Sequence, residues 1–126
     1  MTSGNLFSTV HREDVLSLFQ GNKPDYEKVV GLLDLKKKDV AKASNVSVDS
    51  IRYDARIPKE LEGRLTEWAN AMALVGQYFQ DAQKAVLWFK IPNPLLGNVT
   101  PRDMIRIGRF AKLLKFIQLA LNENMK

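Results

Sequence analysis

The chain has 126 residues, a net charge of +5, 45% apolar and 26% charged residues, and no cysteine. That is one domain's worth of ordinary globular composition, and it excludes a disulfide framework and a cysteine-based zinc site. No apolar run reaches the roughly 18 residues of a membrane span, and Met1-Thr2-Ser3-Gly4-Asn5 lacks the basic region of a secretory leader, so a cytoplasmic protein with no membrane partner is expected.

Strand signals are nearly missing: there is no alternating β-branched run and no Asn-Gly or Asp-Gly hairpin, so the expected fold class is all-α. A first helix is expected near 10–19, with Val15, Leu16, Leu18 and Phe19 as its apolar side. Gly21 and Pro24 punctuate. A second helix follows at 25–33 on Tyr26, Val29, Val30 and Leu33, then two short helices at 37–43 and 48–54. The strongest helix opens at Pro58, since proline suits a first turn and Glu60 and Glu62 suit the positive end of the dipole. Its apolar residues Leu61, Leu65, Trp68, Met72, Val75 and Phe79 are spaced 4, 3, 4, 3, 4, a heptad seam. Two readings stay open for it: the spine of the protein's own core, or the seam of a homodimer.

Asp81 begins a helix carrying Ala85, Val86, Trp88 and Phe89, and the proline-rich segment at 91–101 ends it. Thr100-Pro101-Arg102-Asp103 starts another helix, with Thr as cap, Pro at the first position and an acid three residues after the cap. Gly108 interrupts it. A last helix at 109–122 buries Phe110, Leu113, Leu114, Ile117 and Leu121. Arg102, Arg106, Arg109, Lys112 and Lys115 recur every three or four residues as a basic stripe. Residues 84–126 hold eight basic residues against Asp103 and Glu123, a net of +6. The stripe is either a solvated face or the mark of an acidic partner surface or nucleic acid.

The segment Ile91-Pro92-Asn93-Pro94-Leu95-Leu96-Gly97-Asn98-Val99-Thr100-Pro101 holds three prolines and a glycine, so it cannot continue a helix. It still carries Ile91, Leu95, Leu96 and Val99, which a solvated linker would not. Such a loop is tucked against the protein's own core or against a partner. Residues 35–54 form a candidate helix-turn-helix: Ala41 permits the tight crossing, Asn45 tolerates positive φ in the turn, and Ser47 caps the second helix. Val40, Val46 and Ile51 close its small core. Lys36, Lys37 and Lys38 are candidates for backbone phosphates, while Ser47, Asp49, Ser50, Arg52 and Tyr53 lie on the candidate reading helix. Ser44 stands where that motif usually has leucine.

Trp88 followed by Asn93-Pro94-Leu95-Leu96-Gly97-Asn98-Val99-Thr100-Pro101 resembles the toxin-binding domain of Xre/MbcA/ParS-type antitoxins, whose pattern is Trp, then N-P-x-L-G-G-x-T-P. Asn98 replaces the second glycine. Leu114-Lys115-Phe116-Ile117-Gln118-Leu119-Ala120 is similar to the family's closing Leu-x-x-Ile-x-x-Gly pattern, with Ala120 for glycine. The 35–54 stretch resembles the Xre-like helix-turn-helix that precedes this domain. The resemblance implies an N-terminal extension at 1–24, a helix-turn-helix at 25–67 and a toxin-binding domain at 68–126. It also implies an antitoxin of a type II pair whose partner is a RES-type, NAD-consuming toxin and which represses its own operon by binding operator DNA. The candidate toxin-facing residues are Pro94, Leu95, Leu96, Arg102, Arg106, Arg109, Lys112, Asn124 and Lys126, with Trp88 in the module's core. Two competing readings are a stand-alone DNA-binding regulator whose C-terminal domain only dimerises it, and a protein-interaction module with a degenerate DNA face.

Catalysis finds little footing. The one histidine, His11, falls on the expected first helix, and the acids lie scattered beside lysines with no pair set for acid–base work. No phosphate loop, metal-ligand spacing or cofactor motif is present, so no enzyme, cofactor or metal is expected.

Overall fold

The computed structural model describes residues 14–124, with side chains through residue 122. His11, the start of the helix expected at 10–19, and the side chains of Asn124 and Lys126 lie outside the described residues.

From Asp14 to Phe19 the chain is not helical, which corrects the expected first helix. The Asp14 carboxylate accepts the Leu18 N–H at 2.9 Å and the Phe19 N–H at 2.8 Å, and Ser17 takes φ 56°. Leu16 and Leu18 are both buried, at 4% and 0% exposure, around an exposed Ser17. A turn closed by the Ser17 N–H on the Asp14 carbonyl at 3.0 Å sets that alternation. Strands β1 (Phe19–Gln20) and β2 (Lys23–Pro24) then pair antiparallel. Their two-residue turn has positive φ at Gly21, the pattern of a type II′ turn.

Six helices follow among the described residues: α1 (Tyr26–Leu33), α2 (Lys37–Ser44), α3 (Lys59–Phe79), α4 (Ala82–Lys90), α5 (Pro101–Arg106) and α6 (Phe110–Asn124). The fold is all-α apart from the small hairpin. Local chemistry sets the boundaries. Asp25 caps α1 and Asp81 caps α4 by accepting the N–H three residues on, at 3.2 and 3.0 Å. Thr100 caps α5 in the same way, with Oγ1 accepting the Asp103 N–H at 2.9 Å. Asn45 closes α2 at φ 60°, and Gly108 (φ 83°) separates α5 from α6, both as the sequence indicates.

No helix forms over 48–54, and this second correction bears on function. Only a 3-10 turn, Val48–Ser50, is present, and Ile51 leaves it with ψ 115°. Arg52 Nε and Nη2 donate to the two oxygens of Asp54 at 2.7 and 2.6 Å. Side chains two apart point to different sides of a helix, so this pair belongs to non-helical backbone. The Ser47 and Ser50 hydroxyls bond each other at 2.7 Å, so the Ser47 side chain does not cap a helix. Val40 and Ile51 still close the small core, at 0% and 6% exposure. Ser44, in the leucine position, is buried and donates to the Val40 carbonyl at 2.6 Å.

Helix α3 is the spine. Every residue from Trp68 to Gly76 is buried, so this stretch is enclosed on all sides rather than along one stripe. The seam residues Leu61, Leu65, Trp68, Met72 and Val75 are at most 4% exposed. The heptad is therefore the core of one chain, which decides between its two readings in favour of the internal spine. Gly76 admits the N-terminal segment, because a Cβ there would collide with the Leu16 side chain. One apolar cluster runs from Leu16 to Ile117, and the expected boundary at 67/68 falls inside the unbroken α3.

Candidate functional site

The proline-rich segment is an ordered, exposed loop organised by one residue. The Asn93 N–H donates to the Val99 carbonyl at 3.0 Å, and its carbonyl accepts the N–H groups of Leu96 and Asn98, each at 2.9 Å. Its side-chain Oδ1 accepts the Leu95 N–H at 2.9 Å. Pro94–Leu96 form a 3-10 turn ended by Gly97 (φ 79°) and Asn98 (φ 65°). Asn98 thus takes the left-handed conformation that the sequence suggests it tolerates. Leu96 packs partly against the core, whereas Leu95 is held outward at 80% exposure. A single exposed leucine is ordinary, but one fixed at a loop tip beside other apolar groups is not.

Behind Leu95 lies a groove of about 300 Å³ lined by Tyr78 and Phe79 of α3, Trp88 of α4, and Phe116 and Leu121 of α6. Trp88 stacks on Phe116 with centroids 6.5 Å apart and planes 12° from parallel, and meets Phe89 edge-on at 5.1 Å. Trp88 is partly buried against the core cluster, as expected, and its remaining face forms a wall of this groove. Phe89 beside it is fully buried. Tyr78, Leu87 and Leu119 add further exposed apolar surface nearby in sequence, at 49%, 53% and 56% exposure. Phe116 and Tyr78 were not among the residues singled out from the sequence. Phe116 and Ala120 form a second apolar row beside the core row Leu113–Ile117–Leu121, and that widening was the available signal.

The basic stripe divides. Arg102 turns inward: its Nε donates to the Leu33 carbonyl at 2.6 Å and its Nη2 to the Asp34 carbonyl at 2.8 Å. It therefore ties α5 to the C-terminal end of α1, where a cation is favoured. Arg106 donates to Asp103 at 3.1 Å. Arg109, just before α6, and Lys112 and Lys115 on it are exposed, and Pro94 is exposed on the loop. The other candidate set lies apart from this surface. Lys36, Lys37 and Lys38 are exposed at the start of α2, and Ser47, Asp49 and Ser50 are exposed on the turn beyond its end. The neighbouring Asp54 carboxyl is held down to about 2, first by its bond with Arg52.

A polar hollow of about 480 Å³ lies beside the hairpin, lined by Lys23, Asp25, Tyr26, Glu27, Tyr53 and Asp54. The Tyr26 hydroxyl donates to Glu62 at 2.9 Å, and burial followed by that carboxylate pushes its pKa up to about 12. Tyr53 is raised by burial and then by Glu27. Among the described residues no group of three or more His, Cys, Asp or Glu side chains is placed to hold a metal ion, and no helix is long and apolar enough to cross a membrane.

No family model matches the sequence, and no curated protein matches it. Among solved structures, a chain in the crystal structure of the M. tuberculosis MbcT–MbcA toxin–antitoxin complex is similar. It is 25% identical, the match covers 74% of this chain and 86% of that one, and the TM-score is 0.44.

Proposed function

We propose that this chain is the antitoxin of a type II toxin–antitoxin pair, a binding protein and not an enzyme, acting in the cytoplasm. Its partner is a RES-type NAD-degrading toxin, which it neutralises by covering the toxin's site. The observation that carries this reading is the loop, whose sequence resembles the toxin-binding signature and whose backbone is fixed by Asn93 so that Leu95 projects at 80% exposure. A pre-ordered anchor binds without first losing its own conformational freedom. Burying that leucine in a partner gains about 2 kcal/mol, roughly 30-fold in affinity. Pro94, Leu95, Leu96, Arg106, Arg109 and Lys112 form the toxin-facing set, extended by Asn124 and Lys126 of the tail. Arg102 supports that surface from within.

Autorepression of the operon, in this reading, works through backbone phosphate at Lys36, Lys37 and Lys38, because no helix follows Asn45 to enter a groove. The stand-alone regulator reading loses its base-reading element for the same reason. Co-expression of the full chain with a RES-type toxin encoded by a neighbouring reading frame tests the proposal. Rescue of growth is expected. Continued killing, with both proteins present and folded, refutes it.

A further inference from the structure

We draw no further inference here: the strongest candidate, the apolar groove between the C-terminal end of α3, α4, the proline loop and α6, is an unpartnered face, and nothing in the structure shows what covers it.

Discussion

Replacing Arg102 by alanine separates a structural tether from a docking residue. Its guanidinium bridges the Leu33 carbonyl at 2.6 Å and the Asp34 carbonyl at 2.8 Å, holding α5 against the end of α1. A hydrogen bond involving a charged group contributes about 1.5–3 kcal/mol. The bond to Asp34 is exposed and the side chain is 26% accessible, so the pair together contributes about 2–3 kcal/mol and not twice the single value. At roughly 4 °C per kcal/mol for a chain of this size, Arg102→Ala is expected to melt about 10 °C lower by circular dichroism at 222 nm. Arg106→Ala is the comparator. Its ion pair with Asp103 is half-exposed and contributes less than about 1 kcal/mol. Arg102→Lys keeps the charge but cannot span two carbonyls, so it should fall between the two. An Arg102→Ala melt within about 2 °C of wild type, or an equal loss in Arg106→Ala, refutes the tether.

Three further outcomes follow from the packing. A fragment of residues 68–126 cuts α3 in half and discards Leu61, Leu65 and the segment around Leu16, so it should show no cooperative melt, and a cooperative transition would contradict the single core. Gly76→Val must displace the buried Leu16 and should cost about 1–3 kcal/mol in urea unfolding. Gly31→Ala has open space within α1 and should gain about 0.5–1 kcal/mol; a reversed order contradicts the packing. Tyr26, raised from 10.0 to about 12, binds its proton more tightly folded than unfolded. Its contribution is therefore whole below pH 10 and lost as pH rises through 12. Absorbance at 295 nm should show a late tyrosine step that Tyr26→Phe diminishes, and a Tyr26→Phe difference titration with its midpoint near pH 10 would contradict it.

The parts of the fold written in strong local chemistry were legible. The length and apolar spacing of α3, the Thr100 and Asp81 caps, the break at Gly108 and the left-handed Asn45 and Asn98 all act within a few residues of themselves. In the first of the two misread segments a side chain competes with the helical backbone. Asp14 captures two N–H groups, and Gly21-Asn22 turns the chain into a hairpin through a glycine-first turn, although neither Asn-Gly nor Asp-Gly is present. Beyond Asn45, the chain makes only the 3-10 turn Val48–Ser50 and then runs extended at Ile51, although its apolar spacing alone allows a helix. The candidate site was legible as a loop but not as a groove. Leu95 could be picked out from its motif, whereas Phe116 and Tyr78 join it only through the crossing of α3, α4 and α6. Arg102 shows the opposite failure: periodicity put it in a surface stripe, and a contact 69 residues away in sequence turned it inward.

The central claim is that the ordered loop and its groove hold a toxin. Titration calorimetry of the full chain against the RES-type toxin proposed as its partner, repeated with Leu95→Asp, tests it most directly. Wild type is expected to bind, and the variant, unchanged in its melt, to bind at least 30-fold more weakly. Equal affinity for both chains would contradict the claim and move the interface off this surface.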